Sequence, residues 1–258
     1  MVAVVTGASR GLGAVLAASF LARGMSVATC ARTRPDAPDA ASVHSTMTDD
    51  DRWMASSVDV TDAVGLDQFA ASVVERFGRI DVWVSNAGVI APIGPLVAAD
   101  PEALRAHVAT NVLGVMHGAA AFARHVRRRP GGGVLVTVSS GAATSAYEGW
   151  GPYCASKAAA EMLTEVVGLE EAEHGLIAYS VSPGVLDTEM QAEIRTTSIE
   201  AFPSVDRFHR IHAEGTWTDM EWVAECIVAR CIDPATRDLP VAGSGSVRFR
   251  VPDRPEPT

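Results

Sequence analysis

Short, almost unbroken apolar runs alternate along this chain with longer stretches in which apolar side chains recur every three to four residues. The runs at 2–5, 26–31, 55–58, 81–85, 133–138 and 176–182 read as strands buried on both faces. An alanine-rich helix running to about Arg23 and closed by Gly24 follows the first run. Thr61 or Asp62 can cap a helix that reaches Phe77, and further helical periods cover about 101–128, 151–173 and 219–232. Residues 33–54 are rich in Pro, Asp, Ser and Thr and form a long connection with at most one short helix. Residues 187–216 form a partly helical insertion, a last strand falls near 239–242, and 251–258 form an extended, proline-rich tail. Strand–helix alternation with two-sided strands predicts a doubly wound parallel sheet of about seven strands, Rossmann-like α/β, with ligands at the carboxyl ends of the strands.

Composition narrows the picture. With 258 residues, 48% of them hydrophobic, and no change of pattern along its length, the chain is expected to form a single domain over 1–258. The N-terminus carries no export signal and no stretch approaches the ~18 apolar residues of a membrane span, so a cytoplasmic protein is expected. Cys30, Cys154, Cys226 and Cys231 lack metal-ligand spacing and read as reduced thiols; the seven histidines show no pairing that implies a metal. Net charge is −10 and the one dense cationic run, Arg127-Arg128-Arg129, sits where a helix stops, which excludes a nucleic-acid partner. Of 21 basic residues, twenty are arginine; the single lysine is Lys157. A site that needs a compact ammonium cannot accept a guanidinium, so the surroundings of Lys157 carry information.

The first strand runs straight into Thr6-Gly7-Ala8-Ser9-Arg10-Gly11-Leu12-Gly13 and then into a helix, the context a dinucleotide-binding turn requires. Gly7 permits a tight turn, Gly11 and Gly13 allow close approach to a pyrophosphate, and the helix N-terminus offers free N–H groups. NAD-binding sheets usually place a carboxylate after the second strand; here Thr29-Cys30-Ala31-Arg32-Thr33-Arg34 has none before Asp36. Arg10 and Arg32 can bracket a 2′-phosphate, which favours NADP(H) over NAD(H).

Tyr153 and Lys157 are four apart, on one face of a helix, and Ser140 lies just past the fifth strand, thirteen residues before Tyr153. With these residues in place, the sequence resembles the short-chain dehydrogenase/reductase family along almost its whole length. The resemblance rests on Thr6 to Gly13, Asp59, Asn86-Ala87-Gly88, Asn111, Ser139-Ser140, Tyr153-Cys154-Ala155-Ser156-Lys157 and Pro183-Gly184, in family order. It implies a catalytic set of Asn111, Ser140, Tyr153 and Lys157. It further implies that Gly7, Ser9, Arg10, Gly11, Leu12 and Gly13 cradle the cofactor and that Asp59 and Val60 approach the adenine. Asn86, Ala87 and Gly88 would hold neighbouring strands beside the cofactor, with Pro183, Gly184, Val185 and Thr188 facing the nicotinamide. The chemistry agrees: a phenol with a pKa of about 10 is a poor catalyst at neutral pH, and an adjacent ammonium and an oxidised nicotinamide would lower it. Ser140 would bond the substrate oxygen, and Asn111, a poor helix former inside a long helix, would hold a water that relays protons to Lys157.

Tyr147, Trp150 and Met190 are substrate-wall candidates, with Val89, Ile90, Phe202 and Trp217 as further apolar choices. Such walls suit a bulky or cyclic ketone or diketone. The stretch after Pro183 resembles the sepiapterin reductase and benzil reductase branch, which implies small-molecule carbonyl or alcohol substrates. An alternative is a catalytically silent dinucleotide sensor on the same fold, against which the complete Ser140, Tyr153 and Lys157 set argues. A dehydratase or epimerase would need a longer C-terminal substrate region. Alanine-rich faces of the helices at 101–128 and 151–173 suggest a homodimer or homotetramer.

Overall fold

The computed structural model describes residues 1–37 and 51–254. The first half is β1 (Val2–Thr6), α1 (Gly11–Ala22), β2 (Ser26–Ala31), β3 (Trp53–Ser57), α2 (Ala63–Phe77) and β4 (Val82–Ser85). The second half is α3 (Pro101–Val108), α4 (Gly114–Val126), β5 (Gly133–Val138), α5 (Gly151–Glu171), β6 (Leu176–Ser182), α6 (Glu189–Arg195), α7 (Val205–Glu214), α8 (Met220–Ile227) and β7 (Ser246–Arg250). The short helix allowed within 33–54 falls largely on 38–50, outside the described residues. No helix among the described residues is long and apolar enough to cross a membrane.

All strands pair in parallel in the order β3-β2-β1-β4-β5-β6-β7. The chain winds outward from β1 to β3, returns to β4 beside β1, and winds the other way to β7. The order therefore reverses between β1 and β4, where loops leave the carboxyl edge in opposite directions and open a crevice.

Period-two alternation divides the core. Ala3 and Val5 face α1 and α8, packing with Leu16, Phe20, Val223 and Ile227. Val2 and Val4 face the other side, with Leu66, Phe69, Phe122 and Leu135. Phe20 and Phe122 are fully buried, each contributing about 1.5–3 kcal/mol by leaving water. A third cluster caps the carboxyl edge, where Trp150 and Tyr153 meet Ile90, Ile194, Phe202 and Phe208.

Carboxylates set several helix starts. Asp62, rather than Thr61, caps α2 through Gly65 N at 3.0 Å, Asp100 caps α3 through Ala103 N at 3.0 Å, and Asp219 caps α8 through Glu221 N at 2.8 Å.

Two expectations change. The last strand is β7, not 239–242: Pro240 lacks an N–H, and Leu239 and Val241 are exposed, whereas Val247 and Phe249 pack on the core. The long helix at 101–128 is interrupted by a π-turn at Ala109–Leu113, and the helix at 219–232 ends in a second one at Val228–Ile232.

Candidate active site

The crevice between β1 and β4 continues into a cleft of about 910 Å³ that runs from the glycine turn to the third apolar cluster. Of the residues singled out above as catalytic, cofactor or substrate contacts, all but Gly13, Asn111, Phe202 and Trp217 line it. Gly13 sits under the turn: a Cβ there would lie 2.5 Å from both Asn86 Nδ2 and Gly7 O. Gly7, at φ +65, would place a Cβ 2.7 Å from Ala87 Cα. The glycines thus let β1, α1 and the loop after β4 close to backbone distance.

Asn86 stitches that closure. Its Nδ2 donates to the carbonyls of Thr6 at 3.0 Å and Gly7 at 3.1 Å. Thr6, quoted above as the start of the glycine motif but given no role of its own, accepts at Oγ1 from the N–H groups of Asn86 at 3.1 Å and Ala87 at 3.2 Å. No side chain caps the start of α1, whose first residues, Gly11 and Leu12, line the cleft. Uncapped N–H groups at the positive end of a helix suit a phosphate, so the residues present fit a dinucleotide.

The two arginines differ. Arg10 forms an exposed ion pair with Glu189 on α6 at 2.7 Å, so a phosphate there would compete with a carboxylate. Arg32 is exposed and makes no ion pair among the described residues.

Tyr153 and Lys157 project from one face of α5. Trp150, at its N-cap, sets the Tyr153 ring edge-on at 5.5 Å between centroids. Lys157 Nζ donates to Val138 O at 2.9 Å and lies 5.6 Å from the Tyr153 ring centroid. Ser140 caps the short 3-10 turn Gly141–Ala143, its Oγ accepting from Ala142 N at 3.2 Å.

Burial governs the charges. It pushes the Tyr153 phenol up to about 12, against the pull of its hydrogen bond with Ser140. The expected lowering of this phenol is therefore corrected for the protein itself: desolvation outweighs the Ser140 hydrogen bond. Burial also pushes Lys157 down to about 8, while the Glu161 carboxylate below it acts the other way. Glu161 in turn accepts from Ser139 Oγ at 2.6 Å, beneath the Ser140 turn.

Asn111 lies behind the cleft, buried at the centre of the π-turn. Its amide pairs with the Val89 backbone as a neighbouring strand would, accepting from N and donating to O at 2.8 Å each. Two further contacts went unread in the sequence: Nδ2 lies 3.1 Å from His107 Nε2 and 3.2 Å from Ser156 Oγ. Their signal was spacing, since His107 is four residues before Asn111 and Ser156 precedes Lys157.

At the far end Tyr147, Trp150, Ile90, Met190 and Phe208 form the wall. Phe202 does not: it is fully buried, stacked on Trp150 at 4.5 Å and 7°. Trp217 also stays out of the cleft, packed between His212 and Arg195. Among the described residues no group of His, Cys, Asp or Glu could hold a metal ion.

A family model described as short chain dehydrogenase matches residues 1–199. Benzil reductase ((S)-benzoin forming) from Bacillus cereus is 30% identical over 231 residues, 87% of this chain and 91% of that protein. The enzyme of the same name from Bacillus subtilis is 30% identical over 230 residues, 88% of this chain and 91% of that protein. Among solved structures, a short-chain dehydrogenase from Streptomyces avermitilis superposes with a TM-score of 0.77 at 28% identity, covering 97% of this chain and 87% of that one.

Proposed function

Because the chain belongs to the short-chain dehydrogenase family of nicotinamide-dinucleotide oxidoreductases, we propose that it is an NADP(H)-dependent carbonyl reductase for bulky aromatic or cyclic ketones and diketones. The observation that carries this reading is one continuous cleft: glycine turn at one end, Ser140, Tyr153 and Lys157 in the middle, aromatic wall at the other. The benzil reductases, which by name act on a diaryl diketone, support the substrate class.

The dinucleotide, when bound, supplies the hydride. The glycine turn and the first N–H groups of α1 would hold its pyrophosphate, with Arg32 at the 2′-phosphate and no carboxylate before Asp36 to repel it. Asp59 and Val60 would bound the adenine, and Pro183, Gly184, Val185 and Thr188 the nicotinamide end. Lys157 would hold the ribose hydroxyls through Nζ.

Ser140 donates its hydroxyl hydrogen to the carbonyl oxygen and steadies the charge that grows there. Tyr153 gives its phenolic proton to the same oxygen; burial keeps that proton in place at neutral pH, so the chain rests in the form reduction needs. The ammonium of Lys157 stabilises the phenolate left behind. Asn111, whose amide pairs with the Val89 backbone, would hold a water that returns a proton toward Lys157.

Reduction holds below pH 8 and declines above it as Lys157, pushed down to about 8, loses its charge. Oxidation of the product alcohol needs the Tyr153 phenolate as acceptor, and burial, which pushes that phenol up to about 12, opposes this direction at neutral pH.

The reading also makes the chain a homo-oligomer, since Met162, Val166 and Leu169 leave an exposed apolar stripe on α5. The test of function is dinucleotide oxidation with benzil and a panel of aryl and cyclic ketones, using NADPH and NADH in parallel. Turnover with NADPH at least tenfold faster than with NADH is expected. Equal rates would remove the cofactor preference, and no turnover with any carbonyl would remove the activity.

A further inference from the structure

His107 plays no part in the chemistry above, yet it is bonded on both sides. It is 1% exposed, on α3. Its Nδ1 lies 2.6 Å from Ala91 O, and its Nε2 3.0 Å from Ser156 Oγ and 3.1 Å from Asn111 Nδ2. A carbonyl only accepts, so the Ala91 contact places the hydrogen of the neutral ring on Nδ1 and leaves Nε2 as an acceptor.

The remaining hydrogens then account for one another. Ser156 donates to Tyr153 O at 2.9 Å, and Asn111 spends one amide hydrogen on Val89 O at 2.8 Å. Its second amide hydrogen points into the space shared by His107 Nε2 and Ser156 Oγ. One imidazole therefore ties together the loop at 89–91, the π-turn that carries Asn111, and the helix α5 that carries Tyr153 and Lys157.

We propose that His107 is a positioning residue that, in its neutral Nδ1-protonated form, sets Asn111 against the Tyr153–Lys157 face of α5. The proposal rests on the catalytic reading of those three residues and extends it. Protonating Nε2 would turn a hydrogen toward the Asn111 amide hydrogens, loosening the side chain that holds the proton path.

The charged and titratable groups facing the ring are Lys157 and Tyr153, both from α5, while the π-turn at Ala109–Leu113 and the loop at 89–91 bring the Asn111 amide and the Ala91 carbonyl. Burial lowers the His107 pKa most; the Ala91 and Pro152 carbonyls act upward and the Lys157 charge downward. The acid decline of turnover therefore falls below the ordinary histidine range.

The test compares His107→Phe, which keeps a flat ring without nitrogens, and His107→Gln, which restores a donor and an acceptor. Each is measured for kcat, carbonyl KM, NADPH affinity and the pH profile of benzil reduction, with Tyr153→Phe alongside. His107→Phe is expected to lower kcat about 10- to 100-fold, the cost of a small misplacement of reacting groups, with KM and NADPH affinity within twofold. His107→Gln recovers kcat to within about fivefold of the original, and the acid decline disappears in both variants.

Wild-type kcat in His107→Phe, or equal losses in both variants with the acid decline intact, overturns the proposal. If His107→Phe does not fold, the acid decline in His107→Gln decides: its persistence overturns the proposal, its loss supports it. The parallel variant separates the two levels. Unchanged turnover in Tyr153→Phe removes the catalytic reading itself, whereas a dead Tyr153→Phe beside unaffected His107 variants removes only the positioning role.

Discussion

At the glycine end of the cleft a ligand would meet main chain; at the aromatic end it would meet side chains that hold one another. Gly7, Gly13 and Asn86 bring three backbone segments together, and there a single added Cβ collides with main-chain atoms. Trp150, by contrast, touches Tyr147, Tyr153, Phe202 and Phe208 within 5.5 Å between centroids, so its position depends on elements far apart in the chain. The first construction is rigid toward substitution and tells little about what is bound beyond a dinucleotide. The second can be rebuilt by changing α6 and α7, and it holds the information on substrate.

This difference can be broken at chosen points. The largest effect is expected from Trp150→Ala, which removes the plate between Phe202 and Tyr153 and should cost about 3–5 kcal/mol of folding stability, read by denaturant unfolding. The folded fraction should still bind NADPH with unchanged affinity, because no part of the glycine end is touched; weakened binding would mean that the two ends are one unit. Next comes Arg32→Gln, expected to weaken NADPH by about 1.5–3 kcal/mol, the worth of a hydrogen bond to a charged group, and to leave NADH untouched. Equal loss for both dinucleotides in calorimetric titration would place the 2′-phosphate elsewhere. Gly13→Ala should cost about 1–3 kcal/mol by overpacking against Gly7 and Asn86 and should weaken NADPH and NADH alike. A neutral result would show that the turn can yield.

The same contrast explains what could be read in the sequence. Local patterns carried the glycine turn, the Tyr153–Lys157 face and the strand–helix alternation, because each depends on spacing along a few residues. The aromatic end does not: Phe202 and Tyr147 look equally suited to a pocket wall, and only the packing of α6 and α7 on Trp150 turns one inward to the core and the other to the cleft. The edge strand was misplaced for a related reason. Leu239 and Val241 are apolar but exposed beside a proline, whereas β7 hides its alternation behind Arg248 and Arg250. His107 escaped notice because its partners, Ala91 and Ser156, lie 16 and 49 residues away.

The Tyr153 phenol is the proposed proton donor, in a cleft proposed to bind NADPH by other means. Benzil reduction and NADPH affinity should be measured together in Tyr153→Phe, which keeps the ring that packs on Trp150. Turnover is expected to fall about 10²- to 10⁴-fold, the usual contribution of a positioned acid, with NADPH affinity within twofold. A variant that keeps turnover near that of the original protein, while binding NADPH equally well, would contradict the account.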